Sequence, residues 1–138
     1  MEPVMSVAEV NAYLAEVFPE TAGRFSCTEL KPCWARVDLH AGPGDLRPGG
    51  TVSGPTIFTL ADCGFYMALL GMIGQQALAV TTNASIDFMR KPAPGAMWAE
   101  VSIHKLGRVL AVGTVLIYSE GVEGPVAQAS MTYSVPPR

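Results

Sequence analysis

The first part of the chain shows a helical spacing of apolar residues. Ser6 and Glu9 match the capping-box pattern with which many helices begin. The apolar residues that follow recur on one face of a helix: Val7, Val10, Leu14 and Val17. Pro19 ends the pattern, because proline is not tolerated in a helix interior. The sequence therefore predicts a short amphipathic N-terminal helix of about three turns.

The longest apolar segment, residues 56–74, has apolar side chains nearly all round a helical wheel. Such a pattern is typical of a helix that is buried on almost every side. Gly54 is the predicted N-cap and Pro55 the predicted first helical residue. Gly71 and Gly74 are the two candidate stops.

A membrane span is the alternative that the length of this segment allows. Asp62 lies near its centre, where a carboxylate would cost about 3 kcal/mol in a bilayer. No cationic residues anchor either end of the segment. The sequence therefore predicts a buried helix of a soluble protein, with no membrane partner.

Strand-like composition and alternation occur in six other segments, separated by turn residues: 24–30, 33–40, 77–90, 96–105, 109–120 and 126–135. Residues 41–50, AGPGDLRPGG, are too rich in glycine and proline for an element and are predicted to be a surface loop. Both alternating faces of segment 109–120 are apolar, which predicts a central strand covered on both sides. The order α-β-β-α-β-β-β-β predicts an α+β fold in which a twisted antiparallel sheet wraps the long helix.

Composition and charge bear on assembly and partners. The 138 residues suit one domain spanning 1–138. Apolar residues make up 49% and charged residues only 15% of the chain, so part of the apolar surface is predicted to lie in a subunit interface. A net charge of −3 without a basic run predicts no nucleic acid partner.

The cysteines and the N-terminus indicate the compartment. Cys27, Cys33 and Cys63 have neither metal nor redox spacing and are predicted to be reduced core residues, with no metal site. The N-terminus lacks a positive region followed by an apolar one, so no secretory signal is expected. A cytoplasmic protein is predicted. His40 and His104 are predicted to be structural or surface residues.

The carboxylate of Asp62 has three possible roles in this apolar helix. It faces solvent, or it forms a structural ion pair with Arg90 or Arg108, or it lines a functional site. Thr59 and Tyr66 share its helix face. Hydroxyl groups beside a carboxylate favour a half-buried groove, although both residues also occur at ordinary core boundaries.

The start of the long helix offers a second candidate group. The backbone N–H of Gly54 lies at a helix N-terminus, where negative charge is stabilised, and such a donor can stabilise the oxyanion of acyl transfer. A plain helix start is the alternative interpretation. Gly54 and Asp62 are eight residues apart, about 12 Å along one helix. If the two cooperate, they come from different subunits of a two-fold dimer.

These residues resemble a known family. The stretch GTVSGPTIFTLAD, 50–62, is similar to the motif of the hotdog-fold acyl-CoA thioesterases, in the PaaI-like (phenylacetate-degradation) branch of the 4-hydroxybenzoyl-CoA thioesterase superfamily. Further similarity lies in ASIDFMR at 84–90, with Gly95 after it, in LGRV at 106–109, and in VAQA at 126–129 with Thr132. The resemblance implies the hotdog fold, a long helix wrapped by an antiparallel sheet, in homodimers and often homotetramers.

The resemblance also implies roles for individual residues. Asp62 matches the catalytic general base or nucleophile, Gly54 the N–H that polarises the carbonyl, and Thr81 a residue that places the water. Ser53 stands where the family has histidine, and its hydroxyl is a candidate hydrogen-bond donor or helix cap. The candidate substrate-binding residues are Arg47, Pro55, Thr59, Tyr66, Arg90, Lys91 and Arg108. Arg90, Lys91 and Arg108 are candidates for the coenzyme A phosphates, and a solvated surface cation is the alternative for each.

The chain departs from the family pattern at three positions. Ser53 and Pro55 replace its histidine and second glycine, and Arg47 stands where relatives often have asparagine. The prediction is an acyl-CoA thioesterase that acts on a medium-chain or aromatic thioester without a cofactor. The alternatives are a catalytically silent module that binds acyl-CoA or acyl carrier protein, and a purely structural partner subunit.

Overall fold

The computed structural model describes residues 1–137 and shows one long helix lying against one antiparallel sheet. The elements in chain order are helices α1 (Val7–Val17) and α2 (Pro19–Ala22), strands β1 (Phe25–Lys31) and β2 (Trp34–Leu39), a 3₁₀ turn (Pro43–Asp45), helix α3 (Gly54–Ile73), and strands β3 (Val80–Phe88), β4 (Met97–Leu106), β5 (Leu110–Ser119) and β6 (Ala127–Ser134). The strand order is β1-β2-β4-β5-β6-β3. All six predicted strands are present, within three residues at each end.

The sheet wraps α3, which contacts every strand, and the buried apolar side chains form one cluster. This is the hotdog fold that the sequence predicted. The apolar window of α3 has a mean hydropathy of 1.6, long and apolar enough for a membrane span, yet 78% of it is buried inside the fold. The helix is therefore a core helix, as predicted.

The N-terminal helix begins as its sequence pattern indicated. The Ser6 hydroxyl accepts from the Glu9 N–H at 3.1 Å, and the Glu9 carboxylate accepts from the Ser6 N–H at 2.9 Å. α1 ends at Val17, and Pro19 opens the single turn of α2. The two helices meet at Phe18, which lies beside α3 rather than in the core.

Three sequence predictions need correction. The N-cap of α3 is Ser53, and Gly54 is its first residue, because the serine side chain accepts a hydrogen bond that glycine cannot accept. The loop 41–50 contains a 3₁₀ turn with a buried residue, Asp45. The outer face of β5 is not covered within residues 1–137, since Leu110 and Val112 are 39% and 36% exposed.

Two glycines allow α3 to lie close to the sheet. A Cβ at Gly64 would lie 3.4 Å from atoms of both Ala99 and Val101 on β4. A Cβ at Gly113 on β5 would collide with the Ser102 carbonyl oxygen and would lie 2.9 Å from the Phe65 ring of α3. Since the obstacle at Gly113 is backbone, no side-chain rearrangement can relieve it.

We expect Gly113→Ala to destabilise the fold by about 3 kcal/mol or more, the upper range for overpacking. Gly23→Ala is the matched control, because Gly23 has φ −83° and a Cβ added there would have no atom within 4 Å. The control is expected to change the free energy of unfolding by less than about 1 kcal/mol. Urea unfolding measures both variants, and equal stabilities would contradict the close-packing argument.

Candidate active site

Asp62 is held by hydroxyl groups from the two neighbouring strands at one end of the sheet. Thr81 Oγ1 on β3 donates to Asp62 Oδ1 at 2.6 Å. The Tyr133 hydroxyl on β6 lies 2.7 Å from the same oxygen and 3.0 Å from the Asp62 carbonyl oxygen. Within residues 1–137, Oδ2 has no protein donor, and no buried side-chain oxygen or nitrogen lacks a partner. Oδ2 is therefore the oxygen that remains accessible.

Tyr133 was missed by the sequence reasoning. It shares the inward face of β6 with Ala129 and Met131, and its ring stacks on Phe65 at 5.1 Å. A tyrosine at an inward position of a strand normally needs a partner for its hydroxyl, and that rule could have marked Tyr133 as a polar group near the core without naming its partner. Burial, together with the nearby Asp62 carboxylate, raises the pKa of Tyr133 far above its usual value. The hydroxyl therefore stays a neutral hydrogen-bond donor.

The surroundings of Asp62 do not fit the ion-pair alternative. The ion pairs among residues 1–137 involve Asp45, Glu29 and Asp38. Arg90 instead donates to the Pro125 carbonyl oxygen at 2.6 Å. Nor does Asp62 project freely into solvent, because it is half-buried and two hydroxyls contact it.

A pocket of about 440 Å³ opens in front of Asp62. Its lining residues come from both N-terminal helices, α3, β3 and β6: Val17, Phe18, Thr21, Thr59, Asp62, Cys63, Tyr66, Ala77, Ala79, Val80, Thr81 and Tyr133. We call it the carboxylate pocket. The predicted residues Thr59, Tyr66 and Thr81 all line it together with Asp62.

The thiol of Cys63 is not the reactive group of this pocket. Burial, and then the neighbouring Asp62 charge, raise the pKa of the Cys63 thiol to about 12. A thiol attacks only as the thiolate, which is scarce at neutral pH with such a pKa. Of the two groups, Asp62 is the one suited to basic or nucleophilic chemistry.

The start of α3 leaves one backbone donor free. The Thr56 N–H donates to the Ser53 hydroxyl at 3.4 Å, and the Ile57 N–H donates to the Ser53 carbonyl at 3.0 Å. Pro55 has no N–H. Within residues 1–137, the Gly54 N–H has no acceptor. Of the first N–H groups of this helix, that of Gly54 alone is available to a ligand.

Asp45 fixes the same helix start from the preceding loop. Its carboxylate accepts from Arg24 at 2.6 Å, from the Thr56 hydroxyl at 3.0 Å and from the Gly42 N–H at 2.9 Å. Burial by itself would raise the pKa of Asp45, but these hydrogen bonds and the Arg24 charge outweigh it and hold that pKa below its usual value. Ser53 also donates its own hydroxyl to Thr56, so its side chain serves the cap.

A second pocket, of about 650 Å³, adjoins Gly54. We call it the cationic pocket, because its lining includes three cations and no acid: Arg47, Pro48, Thr51, Val52, Gly54, Ile57, Phe88, Met89, Arg90, Lys91 and Pro92. Of the predicted binding residues, Arg47, Arg90 and Lys91 meet here. Pro55 and Ser53 adjoin this pocket in sequence without lining it, and Arg108 lies in the turn between β4 and β5, where it lines neither pocket.

The two pockets have no lining residue in common. Asp62 and Gly54 are eight residues apart on α3, a separation of about 12 Å along the helix axis. One chain therefore keeps its accessible carboxylate oxygen and its free helix N–H in different cavities. Within residues 1–137, no three His, Cys, Asp or Glu side chains are grouped as a metal site.

The family model of the thioesterase superfamily matches residues 49–126, more than half of the chain. This chain belongs to the thioesterase superfamily. The match contains α3, β3, β4 and β5 completely, and with them Asp62, Gly54 and Thr81. Family and fold together identify the chain as a thioester hydrolase, as its sequence predicted.

Solved structures of similar proteins agree with this assignment. A Silicibacter sp. TM1040 protein that carries a provisional thioesterase assignment is 51% identical, with 99% of this chain and 96% of that chain covered and a TM-score of 0.91. A variant of the phenylacetic acid degradation protein PaaI from Thermus thermophilus is 25% identical, with 86% and 99% covered and a TM-score of 0.71. Zebrafish thioesterase superfamily member 2 shares the fold at 19% identity, with 96% and 99% covered and a TM-score of 0.80. Among proteins with curated descriptions, none matches this chain.

We expect Asp45→Asn to lower the free energy of unfolding by about 1–3 kcal/mol at neutral pH, since it removes charge-assisted hydrogen bonds at the start of α3. The folded-state pKa is depressed, so this stabilisation is present above the ordinary aspartate pKa of about 3.9 and is lost as the pH falls through the lowered value. The difference between wild type and variant should therefore shrink below about pH 4.

The control for this measurement is Asp38→Asn. Asp38 pairs with Arg36 at 2.9 Å, with side chains 30% and 37% exposed, and an exposed pair contributes less than about 1 kcal/mol. Urea unfolding across the acid range compares the two variants. A stability loss for Asp45→Asn that does not change with pH would contradict the role given to its charge.

Proposed function

We propose that this thioester hydrolase acts on acyl-CoA in the cytoplasm and that each active site is shared between two subunits. The observation that carries the proposal is the division of the required groups. The accessible oxygen of Asp62 lies in the carboxylate pocket, and the free N–H of Gly54 lies in the cationic pocket. A thioester carbonyl needs both groups within hydrogen-bonding reach, so a second copy must complete the site.

The unpaired edge of the sheet supports this dimer. β3 is an edge strand, and seven of its nine residues are exposed. It begins at Val80 and Thr81 beside the carboxylate pocket and ends at Phe88 beside the cationic pocket. Antiparallel pairing of β3 with a second β3 would set the start of each strand against the end of the other. Each carboxylate pocket would then adjoin the cationic pocket of the other subunit.

The proposed chemistry uses water as the attacking group. Asp62 Oδ2 takes a proton from a water molecule as its oxygen bonds to the carbonyl carbon. The carbonyl oxygen becomes an oxyanion and accepts a hydrogen bond from Gly54 of the partner subunit. When the C–S bond breaks, the thiolate takes the proton from Asp62 and leaves as the free thiol. Thr81 and Tyr133 hold Oδ1, so Oδ2 keeps its orientation throughout.

A direct attack by Asp62 on the thioester is the alternative. It would expel the thiolate and form a mixed anhydride that water then hydrolyses. A single turnover in isotopically labelled water separates the two routes. Label in the Asp62 carboxylate supports the nucleophile, whereas label in the product acid without an acyl-enzyme that hydroxylamine can trap supports the general base.

Coenzyme A is the proposed leaving group because of the charges beside Gly54. Arg47, Arg90 and Lys91 line the cationic pocket without an acidic neighbour, although the chain as a whole carries −3. Arg90 is anchored to the Pro125 carbonyl, and Arg47 and Lys91 are exposed. Cations that converge in an otherwise acidic protein favour a phosphate-bearing ligand. Free cysteines, with Cys27 and Cys63 buried, suit a reducing cytoplasm.

We expect Asp62→Asn to lower kcat/KM for thioester hydrolysis by about 10²–10⁴-fold, because the amide has neither the basicity nor the nucleophilicity of the carboxylate. The Thr81 and Tyr133 hydroxyls can still donate to the amide oxygen, so the melting temperature should change little. Free thiol release from a panel of acyl-CoAs gives the rate, and calorimetry gives the melting temperature.

Asp38→Asn is again the matched control, since Asp38 lines neither pocket. Turnover by Asp62→Asn equal to that of the control would reject the catalytic role. Tight acyl-CoA binding by the wild type without thiol release would instead support the silent binding module.

A second prediction tests whether the site is shared. Gly54→Pro removes the free N–H, and proline is tolerated at the first position of a helix. Ser53 has φ −72° and ψ 156°, a conformation that a residue before proline readily adopts. We expect this variant to lose about 10²–10³-fold in kcat, as for the removal of one oxyanion donor. Gly54→Ala keeps the N–H, and its Cβ meets Phe88 at an ordinary 3.6 Å, so its loss should be far smaller.

Mixing the two inactive variants decides the matter. In a dimer of one Asp62→Asn and one Gly54→Pro subunit, one site has both groups intact and the other has neither. After unfolding and refolding an equal mixture, random pairing should restore about a quarter of the wild-type activity. No recovery, or a monodisperse monomer by light scattering, would remove the shared-site proposal.

A further inference from the structure

We infer that the carboxylate pocket accepts an unsubstituted hydrocarbon acyl chain and that Phe18 sets the length of chain it accepts. This inference rests on the function proposed above and specifies its substrate. It starts from the hydrogen-bond partners of the side chains that line the pocket.

Each hydroxyl group that lines the carboxylate pocket already donates its proton inside the protein. Thr81 and Tyr133 donate to Asp62. The other three hydroxyls donate to backbone carbonyl oxygens: Thr59 to Pro55 at 2.9 Å, Tyr66 to Ala77 at 2.9 Å and Thr21 to Phe18 at 3.0 Å. No cation lines the pocket. A carboxylate or keto group on the acyl chain would therefore find no cation and no free hydroxyl there, only the Cys63 thiol, which is a weak donor. Leaving such a group without a strong partner is unfavourable.

The charge of Asp62 also disfavours an acyl chain that carries a carboxylate. Asp62 is the only formally charged residue among those that line the carboxylate pocket. A second carboxylate on the acyl chain would approach it without a compensating cation, and like charges repel strongly where water is excluded. The remaining surface is provided by apolar side chains, among them Val17, Ala79 and Val80. The pocket chemistry thus matches a plain aliphatic or phenyl group.

Phe18 forms a fixed part of the wall at the junction of α1 and α2. Its N–H donates to the Leu14 carbonyl at 2.8 Å, and its own carbonyl accepts from the Thr21 N–H at 3.1 Å. Pro19 follows it and opens α2. Both neighbouring helices therefore hold the Phe18 backbone, and its ring is not free to move away with a flexible loop.

Phe18 is partly exposed, so its ring is not buried in the hydrophobic core. Phe18 is 43% exposed, and Val17 beside it is 36% exposed. An apolar ring that lines a pocket and remains accessible is placed to contact the far part of a ligand whose reactive end is at Asp62. Residues 7–22 lie outside the segment 49–126 that matches the family. The part of the pocket wall formed by Val17, Phe18 and Thr21 thus comes from residues that precede the family segment.

The test compares chain-length profiles of the full-length wild type, Phe18→Ala and Phe18→Trp with butyryl-, hexanoyl-, octanoyl-, decanoyl- and palmitoyl-CoA. Removal of the ring should raise the ratio of kcat/KM for decanoyl- to butyryl-CoA by about tenfold or more, the range for one or two methylenes in an apolar pocket. Phe18→Trp should lower the same ratio. Phe18→Leu should give an intermediate profile and remains informative if the alanine variant folds poorly.

Val109→Ala is the control, because Val109 is 66% exposed and lines neither pocket; its ratio should equal that of the wild type. Unchanged profiles in all the Phe18 variants would overturn the inference. If the wild type releases no thiol from any acyl-CoA, the proposed function fails instead.

A second comparison tests the polar exclusion. Hexanoyl-CoA and adipoyl-CoA have equally long acyl chains and differ by a terminal carboxylate. The wild type should use adipoyl-CoA with a kcat/KM lower by about 10²-fold or more, because that carboxylate meets neither a free hydroxyl nor a cation. Equal use of the two substrates would overturn this part of the inference.

Discussion

A single carboxylate in an apolar helix is the constraint on which the arrangement of this site depends. An isolated carboxylate in an apolar site costs several kcal/mol. Hydrogen bonds to a charged group contribute about 1.5–3 kcal/mol each, so the two hydroxyls that contact Asp62 Oδ1 offset much of that cost. They come from β3 and β6, neighbouring strands of the sheet. The same contacts that stabilise the half-buried Asp62 therefore also hold α3 against this edge of the sheet.

The continuous helix α3 keeps the Asp62 carboxylate and the Gly54 N–H apart. A helix cannot bring its first residue within reach of its ninth, because each residue advances the axis by about 1.5 Å. α3 is one uninterrupted helix from Gly54 to Ile73, so no break between the two residues shortens that distance. A continuous core helix with a carboxylate at its middle and a free N–H at its start therefore favours a site shared across a two-fold axis. In the proposed dimer, this axis would run beside the exposed edge strand β3.

Most of the fold could be predicted from the sequence, and so could the grouping of Thr59, Tyr66 and Thr81 with Asp62 around one pocket. Local patterns predict the strands and mark Asp62 and Gly54 as unusual positions, because periodicity and turn residues are visible over a few neighbouring positions. Tyr133 contacts Asp62 from 71 residues away, and no local pattern encodes such a contact. The N-cap was placed one residue late because both serine and glycine favour that position, and only the hydrogen bond to Thr56 tells them apart.

Asp45 was missed for a different reason. The glycines and prolines around it predict a surface loop, and a buried acid becomes possible there only because Arg24, Gly42 and Thr56 converge on it. This network also holds the helix start in place where Ser53 stands at the position of the family histidine. Ser53 uses its hydroxyl in the cap, and Pro55 contributes no N–H. The oxyanion would thus depend on the single N–H of Gly54 and on the positive end of the helix dipole, whose position the Asp45 network holds in place.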